Sequence, residues 1–474
     1  MRNRRSRKIF ASILAFLFIL MTFTPKLCNA ATSVRVLFNG NYLDFDVAPI
    51  IENDRTLAPF RKIGEALGAE IQWSQETKTV MAYKNDKTVI LKIGDNTAYV
   101  NETPIKLDTP PIIKNDRTLV PIRFFSEAFG AIVSWDNASR TVLINTGERP
   151  SKYIMGYYYS QSYQDFLENL DKMSSTAVKW YTLDGNGNLT DRDNQRYINV
   201  PEGHDKVIRL SKDNGMEIQM LVFESDSEKL SKVLATPESR VHLANQILAV
   251  VEKEGYDGVN LDFEYLKAAD KDKYNEFTSI LYEELKTRDK SLSISLPVKT
   301  ERTDWWPGYD YVTLGQNCDF VVLMAYDKNP GTPGPQSGID WVEEVVDYAI
   351  ARIPAEKVVL GIGYYGYDWG HSGKKSSVIL ENNGATYLKF ADELSRQYGL
   401  KLELDEKSGL YYGRYTDENG VSHELWMESD YSVDKKAKMV IQKGLKGVAL
   451  WRLGFTTASF WDTLNSNFEP VKFN

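Results

Sequence analysis

From Tyr153 to Leu453 the chain alternates eight times between short apolar runs of strand length and longer amphipathic stretches. The runs are YIMGYYY (153–159), TAVKWYT (176–182), EIQMLVF (217–223), GVNLDFE (258–264), LSISLPV (292–298), FVVLMAY (320–326), VVLGIGYYG (358–366) and GVALWRL (447–453). Helical patterns fall between them, as in RVHLANQILAVVEKEG (240–255) and KDKYNEFTSILYEELK (271–286). Strand–helix alternation through eight units implies an α/β fold whose parallel sheet closes into a (β/α)8 TIM barrel. Such barrels carry their active site at the C-terminal ends of the strands. One connection is too long: about eighty residues separate the seventh and eighth runs. They hold a helical patch near Tyr387–Tyr398, then LKLELD (400–405) and GLYYGRYTDENGVSHELWM (409–427). Asp-Glu-Asn-Gly between alternating runs signals a hairpin. The spacing predicts a small α+β insertion at about 370–428 that forms one wall of the cleft.

Ahead of the barrel lies a duplication. APIIENDRTLAPFRKIGEALGAEIQW (48–73) returns as PPIIKNDRTLVPIRFFSEAFGAIVSW (110–135), 62 residues later, with 15 of 26 positions identical. Each copy has an Asn-Asp-Arg turn signal, a helical patch ending at Gly, and a short strand through Trp73 or Trp135. These features predict a duplicated small α+β stalk domain at 31–147, a polar linker GERPSK (147–152), and a barrel domain at 151–470.

Residues 1–30 read as a secretory signal peptide: basic MRNRRSRK, apolar IFASILAFLFILMTF, then CNA before Ala31. The apolar run is shorter than the roughly 20 residues that span a bilayer. The expected protein is therefore secreted, extracellular or associated with the cell wall. Without that segment 51 basic residues face 65 acidic ones, a net charge of −14, which disfavours nucleic acid as a partner. Cys318 is then the one cysteine left, so no internal disulfide is expected. The four histidines, His204, His242, His371 and His423, are scattered and show no metal spacing, and neither a metal nor another cofactor is expected.

The fourth run carries the chemistry. In DGVNLDFEYL (257–266), Val259, Leu261 and Phe263 share one parity; Asn260, Asp262 and Glu264 share the other. Side chains alternate faces along a strand, so the apolar set points to the helices and the polar set into the barrel, with Glu264 at the catalytic end. Two carboxylates this close raise the pKa of one of them, an arrangement suited to general acid catalysis.

DGVNLDFE resembles the D-x-x-D-x-D-x-E signature of family 18 glycoside hydrolases, the chitinases and their relatives. MAYD (324–327) is similar to the family's sixth-strand motif, and Trp451 stands where the family has its last-strand tryptophan. YYGYDW (364–369), KWYTLDGNGNL (179–189) and HELWMESDYSV (423–433) resemble the subgroup with spore-cortex and cell-wall glucosaminidases. The resemblance implies substrate-assisted hydrolysis with retention. Glu264 protonates the glycosidic oxygen, and the sugar's own 2-acetamido oxygen attacks the anomeric carbon. Asp262 orients that amide and stabilises the oxazolinium, and Tyr326 donates a hydrogen bond to the acetamido oxygen. Trp451 forms the floor under the sugar, and Asp327 contacts it or its neighbours. Asp257, of opposite parity, takes a turn or a support role. Tyr365, Trp369 and Trp426 are expected to line the glycan cleft, out of a wider aromatic set that includes Trp180, Tyr181, Trp305 and Trp306.

This chain departs from the pattern at Asn260, where the family has a second Asp. The amide is expected to donate a hydrogen bond to Asp262 and keep it ionised. The implied substrates are β-1,4 polymers containing N-acetylglucosamine: peptidoglycan, chitin or, third, an N-glycan core. The competing readings are a lectin-like barrel that binds without cleaving and a wall-assembly protein led by its stalk. The duplicated segment resembles the repeats named after the N-terminal domain of copper amine oxidases. It serves either as a spacer or as a binder of wall polymer, and it lacks histidine and cysteine to hold copper.

Overall fold

The computed structural model describes residues 34–136, 140–159, 161–193, 198–370, 375–376 and 386–473. The expected signal peptide and two pieces of the insertion, 371–374 and 377–385, lie outside the described residues.

Two compact units divide the chain, one built on Asp44–Val142 and the other on Leu143–Asn474. In the first, each repeat folds as a hairpin followed by a helix. Ile50–Glu52 pairs with Arg55–Pro59, and Ile112–Lys114 with Arg117–Pro121. Asn53, Asp54, Asn115 and Asp116 close these hairpins with φ of 50°, 57°, 48° and 58°. A two-residue turn of this hand needs positive φ at both positions, which Asn and Asp adopt more readily than other side chains. The helices Phe60–Ala66 and Ile122–Ala128 follow, each starting after a proline. Across the middle, Ala58 stands opposite Val120 in antiparallel pairing. With an offset of 62 these are the same position of the two copies, so the strand pairs with its own duplicate about a local two-fold axis.

In the second unit the eight expected strands form. They are β1 (Ser151–Tyr158), β2 (Ser175–Leu183), β3 (Glu217–Glu224), β4 (Gly258–Phe263), β5 (Ser291–Leu296), β6 (Phe320–Leu323), β7 (Val358–Gly363) and β8 (Gly447–Trp451). Each pairs in parallel with the next, and β8 pairs with β1 to close the barrel. The period-two rule divides the core. Ile154, Val178, Val259, Leu261 and Phe263 pack outward with the helices. Tyr153, Met155, Tyr157, Ala177, Leu221, Phe320, Val322, Val359 and Ala449 fill the inside. The barrel is thus a packed core whose upper end is left for chemistry.

The long connection after β7 builds an antiparallel sheet from Gly366–Gly370, Ser422–Met427, Leu410–Thr416 and Glu403–Asp405, with a helix at Thr386–Tyr398. Its hairpin turns at Asp417–Gly420, where Asp417 Oδ1 accepts from the Asn419 and Val421 amides. The sheet is tied back by Glu428. Its Oε2 accepts from Lys436 Nζ at 2.7 Å and from Ser337 Oγ at 2.7 Å, and the two charged side chains are 0% and 1% exposed.

Candidate active site

The inside of the barrel becomes more polar toward its C-terminal end. In the middle layer Asn260 Nδ2 donates to Ser293 Oγ (2.8 Å), Ser293 Oγ donates to Gln219 Oε1 (2.7 Å), and Ser295 Oγ donates to Asn260 Oδ1 (3.2 Å). The Tyr157 hydroxyl lies 2.8 Å from Ser295 Oγ. Asn260 thus turns its amide to β5, and Asp262 Oδ1 receives no hydrogen bond from it, contrary to the sequence expectation. The reason is register: Asn260 stands directly beside Ser293, about 4.8 Å across the sheet, whereas Asp262 is two residues along, about 6.6 Å away.

One layer higher, Asp262 is 4% exposed. Its Oδ2 lies 4.0 Å from Lys179 Nζ, and its Oδ1 is buried with no hydrogen-bond partner. Burial pushes the Asp262 carboxyl up from the ordinary range, while the Lys179 charge and, after it, the nearby Ser295 hydroxyl pull it back down. Burial, not repulsion from a second carboxylate, is thus the leading cause of the shift. Glu264 sits one residue beyond the end of β4, half-buried, its amide donating to the Glu224 carbonyl at 2.8 Å.

Tyr326 follows the end of β6 and reaches over β7. A side chain at Gly363 would meet Tyr326 Cγ at 3.0 Å, and one at Gly361 would meet Tyr326 Cε1 at 3.2 Å. Two glycines on the inner face of β7 therefore make the seat for this ring, a pattern with no signal in the sequence until Tyr326 is known to lie there. Burial raises the Tyr326 phenol well above its usual value, and Tyr157, Asp262, Asp327 and Glu264 add to the effect. The hydroxyl thus keeps its proton in the field of Asp262, Asp327 and Glu264.

Glu264, Tyr326 and Asp327 line one cleft of about 810 Å³ together with Tyr265, Trp305, Trp306 and Tyr367. Tyr265 and Trp305 are about half exposed, and the Tyr265 and Trp306 rings meet at 5.4 Å. Asp327 Oδ1 accepts from the Tyr365 and Tyr367 hydroxyls, each at 2.7 Å. Tyr365 packs edge-on to Tyr326 at 6.2 Å. Trp451, half-buried at the end of β8, has Tyr157 edge-on at 5.5 Å and Lys179 Nζ 4.8 Å over its ring. Trp369, expected in the cleft, is instead buried: it gives its indole N–H to the Pro330 carbonyl and stacks behind Tyr367. Trp426 is half-buried in the insertion sheet, against Tyr412 and hydrogen-bonded to Glu424. Trp180 and Tyr181 are core. Asp257 lies at the other end of the barrel, accepting from the Ile218 amide beside Lys212, so it has the turn role. Lys179, Ser295, Tyr367 and the two β7 glycines were not singled out from the sequence.

Residues 153–455, more than half of the chain, match the sequence model of glycosyl hydrolases family 18. The chain belongs to that family. As a family 18 glycoside hydrolase it has relatives among spore-lytic proteins and chitinases. A cortical fragment-lytic enzyme of Bacillus subtilis is 28% identical over 325 residues, 64% of this chain and 72% of the relative. The uncharacterized glycosylase YvbX of the same organism is 29% identical over 249 residues, 51% of this chain and 70% of the relative. A chitinase from Chromobacterium violaceum matches in structure with a TM-score of 0.60 at 25% identity, over 67% of this chain and 99% of that one. The spore cortex-lytic enzyme SleL of Bacillus megaterium shares the fold with a TM-score of 0.61 at 24% identity, over 69% and 76% of the two chains. Residues 37–144 match the copper amine oxidase N-terminal domain. They contain neither histidine nor cysteine and so do not fit copper.

Proposed function

We propose that this family 18 hydrolase is secreted and cleaves β-1,4 bonds of a polymer containing N-acetylglucosamine, peptidoglycan before chitin, with retention of configuration. The observation that carries the reading is the buried, unpartnered Oδ1 of Asp262. A buried acceptor without a donor is costly, and the N–H of a 2-acetamido group is the donor that would satisfy it. With that amide held, its carbonyl oxygen attacks the anomeric carbon while the Tyr326 hydroxyl donates to the same oxygen. Glu264 protonates the departing glycosidic oxygen. It then takes a proton from the water that opens the oxazolinium. The negative charge of Asp262 stabilises the cationic intermediate. Trp451 offers an apolar face to the sugar. The preference for a wall polymer is supported by relatives named for lysis of cortical fragments and by the basic-apolar leader in the sequence. The duplicated stalk spaces the barrel from the wall or binds wall polymer.

The test is substrate choice with product stereochemistry. N-acetylglucosamine oligomers and purified peptidoglycan are expected to be cleaved with the β-anomer released first, and cello-oligomers, which lack the acetamide, to be inert. Equal turnover of cello-oligomers, or initial release of the α-anomer, would remove the substrate-assisted reading. Binding without any turnover would mark a lectin. Within this mechanism Tyr326→Phe is expected to lower kcat about 10²-fold with KM nearly unchanged, since the hydroxyl acts mainly on developing charge. A KM rise with normal kcat would assign Tyr326 to ground-state binding instead.

A further inference from the structure

We infer that Lys179 is a positioning residue for the reaction: its ammonium is the internal counter-ion that holds Asp262 as a carboxylate aimed at the acetamido site. This rests on the proposed chemistry at Asp262. The geometry comes from a β-bulge. β2 and β3 pair regularly up to Lys179–Leu221, then Tyr181 pairs with Val222, so β2 gains one residue. Before the bulge Ala177 points in and Val178 out; after it Trp180 and Tyr181 both pack outward. At the bulge Lys179 turns inward, toward Phe223, Trp451 and Asp262.

A lysine there is enclosed, with its side chain 10% exposed. Its Nζ lies 3.4 Å over the Phe223 ring, 4.8 Å over Trp451 and 5.6 Å over Tyr159. Three aromatic faces substitute for part of the hydration of its ammonium in this enclosed site. Asp262 Oδ2 faces it at 4.0 Å, leaving Oδ1 for substrate. The middle-layer amide is turned to Ser293 on β5, and Asp262 Oδ1 receives no hydrogen bond from it.

Among the described residues, the other titratable groups near Asp262 are Tyr157 from β1, Tyr326 beyond β6, and Tyr274 and Tyr309 behind the β4 wall; Glu264 follows it just past β4. The tyrosines are protonated at working pH and Glu264 is no cation. Arg452, whose guanidinium lies 5.4 Å over Tyr159, is a second cation near the aromatic cage among the described residues. Lys179 is thus the cation whose field opposes the burial of Asp262.

The experiment is the pH profile of kcat/KM on an N-acetylglucosamine oligomer for the wild type, Lys179→Met, Lys179→Gln and Lys179→Arg. Removing a cation raises the pKa of the carboxylate it faces. The acid limb, which reports the group that must be deprotonated in free enzyme, is therefore expected to move up by about one pH unit or more in both neutral variants. Below that limb kcat/KM falls about tenfold per pH unit. Lys179→Arg, which keeps the charge, is expected to hold the limb near its wild-type position whatever its rate. Neutral variants that fold and keep the wild-type limb overturn the proposal. If neither neutral variant folds, NMR of carboxyl-labelled wild-type protein decides, with the Asp262→Asn protein assigning the signal. An ionised Asp262 at neutral pH supports the proposal and a protonated one overturns it. A wild type that fails to hydrolyse any acetamido sugar defeats the proposed function instead, so the two failures are distinct.

Discussion

Glu264→Gln is expected to reduce hydrolysis of N-acetylglucosamine oligomers by about 10³-fold, within the range that general acid–base groups supply. The amide is nearly isosteric with the acid and keeps hydrogen-bonding capacity, but it has no proton to transfer to the leaving oxygen. The half-buried position just past β4, in one cleft with Tyr326 and Asp327, leaves the fold little reason to respond. Thermal stability should stay close to wild type, and KM should change by only a few-fold. The loss should also depend on the substrate. A glycoside whose leaving group is a stable phenolate needs little protonation, so the variant should retain far more activity on it than on a sugar leaving group. Steady-state kinetics on both substrates checks this. A variant retaining a tenth of its oligomer activity would remove Glu264 from the role.

The second large effect concerns stability. Lys436→Met is expected to destabilise the protein by about 3–5 kcal/mol, because it removes the cation 2.7 Å from the buried Glu428 carboxylate. Glu428 is fully enclosed and is also held by Ser337. Its backbone amide donates to the Tyr365 carbonyl at 3.1 Å, which links this anchor to the segment just past the end of β7. Burial lowers the Lys436 pKa and the Glu428 charge opposes that shift, the balance expected of a pair whose members need each other. The double variant Glu428→Gln/Lys436→Met should recover a large part of the loss, since the buried carboxylate is removed together with its cation. Denaturant melts of the two proteins measure the difference. Equal destabilisation would show that lost packing, not an uncompensated charge, sets the cost.

The readable parts of the sequence and the hidden ones differ by the distance over which residues interact. All eight barrel strands lie within a few residues of their expected bounds, and the helix expected at 271–286 forms as Lys271–Lys286. Those signals are local: runs of apolar residues and a period of two or 3.6. The turns at Asn53-Asp54 and Asn115-Asp116 were legible for the same reason, because two adjacent residues carry them; the strands they join were not. The inward parity of Asn260 and Asp262 was legible too, since alternation along one strand needs no knowledge of its neighbours. The partners of those side chains were not. Asn260 was expected to serve Asp262, and it binds Ser293 because β5 is nearer than the next inward position of β4. Trp369 looked like a cleft residue, but the insertion sheet turns it behind Tyr367.

Composition and periodicity by themselves thus determined a duplicated front segment, an eight-stranded parallel barrel with an insertion before its last strand, and an acidic strand aimed inward. Only the tertiary structure decided that a bulge in β2 turns Lys179 toward Asp262, and that two glycines of β7 make room for Tyr326. The physical reason is that a strand's own pattern sets which way its side chains face, whereas register and spacing between strands set what they meet, and those arise only when residues far apart in the chain close the barrel.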